Sequence, residues 1–268
     1  MTAIRIKSFL SLILVLLLIV TASASEKLVP PTFKVGEWVS YDMTKAVDGG
    51  SKQSMKAKYS VVGEEKFEGQ DCLWHEVQFN AGGDMNTVFR VLLPKTEPVA
   101  AETMLCYISA IANVGDAKRY IIWSPGAQPT EAEMGVINSV SDDLTKKGMR
   151  KGFAQDEAIK SLDEMKRKET GVVVKTAGKE FKCDHFVADL KSEISKNRKW
   201  SYQVWRCADI PVFGFAKIRY EKVLFGRSEL TELTLSGFGT SGAKSVVPGQ
   251  PIKANMRLGK GPTAPESN

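Results

Sequence analysis

Cys183-Asp184-His185 is the stretch whose residue types and spacing come nearest to chemistry. In an extended strand Cys183 and His185 share a face and offer a sulfur and a nitrogen to a metal. A structural zinc site wants four ligands, and this stretch supplies two. The chain has 2 histidines, and the second, His75, lies far away in sequence. A disulfide competes for the same sulfur, so no metal site is expected. The 4 cysteines are Cys72, Cys106, Cys183 and Cys207, with no C-x-x-C among them. That spacing supports neither a thioredoxin-type redox site nor a zinc knuckle.

No catalytic residue is singled out. There is no G-x-S-x-G elbow, no P-loop and no G-x-G-x-x-G. Carboxylates are plentiful, but no pair stands at a spacing that marks a glycosidase. Gly237-Phe238-Gly239-Thr240-Ser241-Gly242 is glycine-rich, yet it follows a strand and precedes no helix, so it reads as a loop. No enzyme and no cofactor are expected.

The cysteines are better explained by a hairpin. Pairing residues across a turn centred on Ser195 sets Cys183 opposite Cys207, His185 opposite Trp205, Val187 opposite Gln203 and Ala188 opposite Tyr202. Directly opposed antiparallel residues bring Cα atoms to about 4.5–5.5 Å, within the range a disulfide accepts. The register therefore predicts a Cys183–Cys207 bridge, with Cys72–Cys106 as the residual pair.

Disulfides need an oxidising compartment, and the N-terminus points to one. Arg5 and Lys7 precede an unbroken apolar run, 9–20, and then Ala22-Ser23-Ala24. That is a basic region, an apolar region and a small-residue cleavage site, so residues 1–24 read as a cleaved signal peptide. The run is shorter than a spanning helix needs. The mature chain is expected in the periplasm or secreted. A net charge of +6 allows contact with a membrane surface, but an exported chain rarely meets nucleic acid, and no basic stripe is interleaved with aromatics. No nucleic-acid partner is expected.

The elements that hold these residues read mostly as strands. Residues 38–43 alternate, with Val39, Tyr41 and Met43 on one face and Trp38, Ser40 and Asp42 on the other. Runs at 56–62, 72–79, 87–93 and 118–123 follow with short polar punctuation. Residues 99–114 fit a helix or a buried strand. Strands resume at 171–175, 180–190, 199–208, 214–221 and 230–235. Such close spacing argues antiparallel meanders, since parallel crossovers need a dozen or more linking residues.

The middle reads differently. Thr130-Glu131-Ala132-Glu133 has the form of a capping box ahead of Met134, Ile137, Val140 and Leu144 at helical spacing. Ile159, Leu162 and Met165 repeat the pattern, so 130–168 reads as a helical insert. It carries basic clusters at Lys146-Lys147, Arg150-Lys151 and Lys166-Arg167-Lys168. Residues 25–245 form one exported domain, and 246–268, rich in Gly, Pro, Lys and Ser, reads as a disordered tail.

The aromatics are spread over many strands. Most belong to the core. On a curved sheet some would instead line a cavity for a hydrophobic guest, and Trp38, Tyr41, Trp74, Phe89, Trp123 and Trp205 are the candidate ligand-binding residues.

The C-terminal third carries a resemblance. Ala177-Gly178-Lys179-Glu180-Phe181-Lys182-Cys183-Asp184-His185-Phe186 is followed by Val204-Trp205, by Asp209-Ile210-Pro211-Val212-Phe213-Gly214-Phe215-Ala216-Lys217, and by Leu233-Thr234-Leu235-Ser236-Gly237-Phe238-Gly239. With Gly36-Glu37-Trp38-Val39 at the start, this resembles a family of exported bacterial proteins. In outline it is similar to the periplasmic lipoprotein carriers and outer-membrane lipoprotein receptors. The resemblance covers 35–45 and 170–240. It implies an open antiparallel half-barrel whose concave face, covered by helices, holds acyl chains. None of the carriers' functional residues transfers by motif. The longer central insert, the cysteines and the Gly/Pro tail depart from that family.

The expectation is a mainly β (α+β) chain, a curved antiparallel sheet or open half-barrel with the insert packed on one face. The expected role is non-enzymatic binding of a lipid or lipidated partner in the periplasm. The alternative is an envelope structural protein that contacts other envelope proteins, with a packed core and no ligand.

Overall fold

The computed structural model describes residues 32–48, 50, 52–80, 86–95, 117–132, 165–191 and 198–254. Among them every regular element is a strand: β1 (Trp38–Val47), β2 (Gln53–Phe67), β3 (Gln70–Asn80), β4 (Asn86–Pro94), β5 (Arg119–Trp123), β6 (Thr130–Ala132), β7 (Lys166–Thr176), β8 (Lys179–Lys191), β9 (Arg198–Arg206), β10 (Phe215–Leu224), β11 (Arg227–Gly239) and β12 (Ile252–Ala254). They form one sheet in the order β12-β6-β5-β4-β3-β2-β1-β11-β10-β9-β8-β7. Two meanders, β1–β6 and β7–β11, are joined by β1 pairing antiparallel with β11 from Trp38↔Gly239 to Val47↔Glu229. β12 lies parallel to β6.

The alternation decides which face is inside. Val39, Tyr41 and Met43 pair with Tyr59, Ala57 and Met55, and the first three are buried. Val77 and His75 continue that face on β3, Phe89 and Val91 on β4, Tyr120 on β5. Ile218, Val204, Tyr202, Leu233 and Leu235 extend it across the other meander. This face is concave. Thr176 on β7 donates its hydroxyl to the Leu235 carbonyl on β11, although three strands separate them in the sheet. Phe181 on β8 meets Phe238 on β11, ring centroids 5.7 Å apart. Only a strongly curved sheet allows both contacts.

The connection from β9 to β10 fills the curve. Ile210, Val212, Phe213, Phe215 and Ala216 are all buried. Phe213 lies edge-on to Tyr59 at 4.6 Å and to Phe33 at 5.8 Å, and Tyr41 donates its hydroxyl to the Phe215 carbonyl at 3.1 Å. Pro211 lies within this connection, between the end of β9 at Arg206 and the start of β10 at Phe215, and the loop turns inward as a plug. Val212 sits at φ 66°, an outlier for a β-branched residue. Burial among these rings holds it there.

The bridge between Cys183 and Cys207 anchors this plug. The two Cα atoms are 4.3 Å apart. His185↔Trp205, Val187↔Gln203 and Ala188↔Tyr202 stand in the predicted register.

Three expectations need correction. Thr130-Glu131-Ala132 begins no helix: it is β6, and Lys166 to Lys168 belong to β7, so the ends of the expected insert are strands. Residues 133–164 lie outside the described part, as do 99–114 and the expected signal peptide, 1–24. The capping-box letters carry little strand preference of their own, and pairing with β5 on one side and β12 on the other decides the outcome. The expected tail does not begin at 246. Residues 246–254 cross the outer face, bury Val247 and pair with β6, while 255–268 are outside the described part. Cys72 is a free, buried thiol rather than the partner of Cys106, which is not described.

His75 is a buried cost of this packing. It is fully enclosed, shares a hydrogen bond between its Nδ1 and the Tyr59 hydroxyl, and has Phe33 edge-on at 5.0 Å. Loss of solvation pushes its imidazole down to about 3.

Two measurements check these points. Replacing both Cys183 and Cys207 by Ser should lower unfolding free energy by about 3 kcal/mol. Peptide mapping without reduction should recover those two cysteines linked and Cys72 alkylated after denaturation. For His75, the unfolded chain takes up a proton below an ordinary histidine value near 6.5 and the native chain only near 3. Stability should therefore fall as pH drops through that window, by about 1.4 kcal/mol per pH unit from this group. His75→Gln should flatten that limb in urea titrations; an unchanged slope would assign it to other groups.

Candidate functional site

The six candidate aromatics do not line one cavity. Tyr41 and Phe89 face the concave side; Trp38, Trp74, Trp123 and Trp205 face the other, because each stands one residue out of phase with a concave-face neighbour. Aromatic content alone carried no face assignment.

Each outer tryptophan has its own structural partner. Trp38 lies flat along β11, where a Cβ at Gly239 would collide with the indole and one at Gly237 would come within 2.9 Å of Ser40 Oγ. This is the local reason for the glycines in the Gly237-Phe238-Gly239 stretch. Lys58 Nζ covers the Trp38 ring at 4.8 Å, and Lys217 Nζ sits 5.5 Å from that of Trp205. Trp205 also stacks on His185 at 4.4 Å with planes 7° apart. Burial first, then Lys168, holds the His185 imidazole below the ordinary histidine range. With Cys183 bonded to Cys207, the Cys183/His185 pair is left with one ring as a packing surface. Trp123 donates to the Ala127 carbonyl at 3.0 Å.

Trp74 is the centre of an ionic cluster that sequence reading missed. Arg90 and Arg119 guanidinium carbons lie 4.3 and 5.2 Å from its ring. Its Nε1 donates to Glu65 at 2.9 Å. Arg119 grips Glu131 with two bonds, 2.7 and 2.9 Å, and reaches Glu65 at 3.2 Å. The bidentate contact holds the Glu131 carboxyl below the usual range and raises the Arg119 guanidinium. These residues come from β2, β3, β4, β5 and β6, so no local spacing announces them. The cluster is internally compensated and braces the short strands β5 and β6 over β3.

The concave face divides into a filled part and an apolar strip. Under β1, β2 and β10 the plug residues occupy the curve. Along β3, β4 and β5 run Phe79, Phe89, Tyr120 and Ile122, with ring centroids 6.0 Å from Phe79 to Phe89 and 6.1 Å from Phe89 to Tyr120. Phe79, Phe89 and Ile122 are half-buried. The Tyr120 hydroxyl is buried without a hydrogen-bond partner, and burial pushes its ionisation upward. A buried hydroxyl left unpaired costs on the order of 1–3 kcal/mol. An apolar strip with one directed polar group is the pattern of a site for an apolar guest with a polar end. Of the six candidates, Phe89 belongs to it. Phe79, Tyr120 and Ile122 lie on the expected strands 72–79 and 118–123 but are not among the six candidates.

The described residues contain no group of three His, Cys, Asp or Glu placed to hold a metal ion. No described helix is long and apolar enough to cross a membrane. The Lys166-Arg167-Lys168 cluster lies on strand β7, exposed, with Arg167 3.6 Å from Asp184.

No protein-family model matches the chain, and no curated protein matches it. Among solved structures, a candidate lipoprotein from Parabacteroides distasonis is 12% identical, with TM-score 0.33 over 78% of this chain and 97% of that one. A candidate exported protein with a YmcC-like fold from Bacteroides fragilis is 10% identical, with TM-score 0.33 over 79% and 99%. A DUF1329 family protein from Desulfovibrio piger is 12% identical, with TM-score 0.28 over 75% and 84%. Scores this low leave fold and role to be argued from the chain's own strand order and side chains.

Proposed function

We propose that this chain is an exported, non-enzymatic protein of the cell envelope that binds an acyl chain, free or on a lipidated partner, along the concave strip of β3, β4 and β5. The observation that carries this reading is the unpartnered Tyr120 hydroxyl beside half-buried Phe79, Phe89 and Ile122. The strip gives a hydrocarbon chain a track of apolar side chains, and the hydroxyl gives its carbonyl or carboxyl end a hydrogen bond. Export is supported by the leader-like N-terminus and by a disulfide buried in the sheet, which favours an oxidising compartment. A binding role is supported over catalysis by the use of both histidines in packing, His75 inside the core and His185 under Trp205.

The plug favours a narrower container than a whole half-barrel. Phe213, Phe33 and Tyr59 already occupy the curve under β1 and β2. An acyl chain would therefore lie to the β3–β5 side of Val77 and His75.

Native mass spectrometry of protein purified from the periplasm, followed by solvent extraction, should recover an acyl species. Titration with a fluorescent C16 fatty acid should then show saturable binding. Phe89→Asp should weaken it at least about tenfold, the equivalent of ~1.4 kcal/mol, with little change in Tm, since Phe89 is half-buried. Tyr120→Phe should weaken a carboxylate-ended probe more than the matching alcohol-free alkyl probe. An apo mass together with no probe binding would overturn the reading and leave an envelope interaction protein with a packed core.

A further inference from the structure

The outer face of the sheet carries a second apolar cluster, independent of the concave strip. It consists of Cys72, Trp74, Val88, Leu92 and Ile121, and it is closed over by Val247. Val247 belongs to a strap, residues 243–254, that leaves β11 and crosses β3, β4 and β5 to reach β6. Few contacts hold the strap down. Ala243 donates to the Gly36 carbonyl at 3.0 Å. Ser245 Oγ donates to one Glu76 oxygen at 2.7 Å, and the Val246 N–H to the other at 3.1 Å. The Ile252 N–H donates to Pro129 at 2.9 Å, and Ile252–Ala254 lie parallel to Thr130–Ala132.

These contacts define a recognition pattern. Glu76 is fully buried and receives a third bond from Gln78 at 3.1 Å, so its carboxylate is a fixed double acceptor. It reads a hydroxyl side chain and the next backbone N–H. The apolar cluster then takes one aliphatic side chain two residues after the hydroxyl. The edge of β6 takes a three-residue strand. Two large aliphatic side chains of the strap are left in solvent, Val246 at 43% and Ile252 at 47% exposure. β12 and β6 form the one parallel pair among the described strands, the less stable arrangement per residue. Gly242 at φ 87° stands just ahead of the segment and Gly249 at φ 59° lies within it, both with backbone that turns freely.

We propose that the Glu76 groove is a peptide-docking site which the chain's own strap occupies in cis. Its partner is an extended segment of another envelope protein with a Ser or Thr, any residue, then Val, followed by a short strand that adds to the β6 edge. Strand addition uses main-chain hydrogen bonds for affinity and alternate side-chain pockets for specificity. The tether gives the strap a high effective concentration, so exchange follows local opening of the strap rather than unfolding of the sheet.

Hydrogen exchange on the full chain tests the first requirement. Amides of 245–254 should exchange roughly 100-fold faster or more than those of β2 and β3. Equal protection in strap and sheet would overturn the proposal. A labelled synthetic peptide with the sequence of 243–254 tests the second. Val247→Asp in the full chain disables the cis strap and leaves the groove intact. The peptide should bind this variant at least about tenfold tighter than the wild type. Adding Glu76→Ala should abolish that binding. A folded Val247→Asp variant that does not bind the peptide would show the strap to be structural; should the variant fail to fold, the exchange measurement on the wild type decides.

Discussion

The pairing of β1 with β11 is the contact that the rest of the molecule depends on. Each meander pairs strands that are consecutive in sequence, but each alone is a twisted ribbon with one bare apolar face. Joining the ribbons through residues as far apart in sequence as Trp38 and Gly239 costs loop-closure entropy that grows only slowly with length. In return it places Tyr41, Met43, Leu233 and Leu235 side by side and makes one continuous curved face. The glycines at 237 and 239 admit the Trp38 indole flat against β11, and a larger residue at 239 would push the seam apart. The curve then brings β7 back to β11, and the plug between β9 and β10 has a concavity to fill.

The two faces of β3 show how that seam creates two different surfaces. Cys72 through Val77 are buried without a break, so the period-2 alternation vanishes and the strand reads as continuously apolar with His75 and Glu76 embedded. One face supports the core and the strip with Phe79. The other carries Trp74 and the ionic cluster, and the strap lies over it. Glu76 and His75 are neighbours in sequence yet meet opposite solutions to burial. His75 stays neutral among rings, whereas Glu76 is satisfied by Gln78, Ser245 and Val246. The polar groups of this strand are thus tied to the plug side and the strap side respectively.

Much of this was legible in the chain. The register about Ser195 was contained in the spacing of Cys183, His185, Trp205 and Cys207, because an antiparallel hairpin has one free parameter and four residues agree on it. The faces of β1 and β2 followed from strict alternation in Val39, Tyr41, Met43 and Ala57, Tyr59, Val61. The misreading at Thr130 has a physical cause. Three residues of β6 carry little intrinsic preference, and two flanking strands with Arg119 override it. The ordered stretch 246–254 was hidden for a related reason. A segment with one buried valine has no hydrophobic signature of its own and is ordered by Glu76 and the β6 edge.

By itself, then, the sequence determined strand content, antiparallel hairpins, one disulfide and an apolar face, since each follows from local period and short-range spacing. The tertiary structure decided which aromatics share a surface, where the curve is filled and where Tyr120 is left unpaired. It also decided which carboxylate holds the segment after β11. Those outcomes depend on pairings between distant strands, and a one-residue change of phase moves a side chain to the opposite face of the sheet.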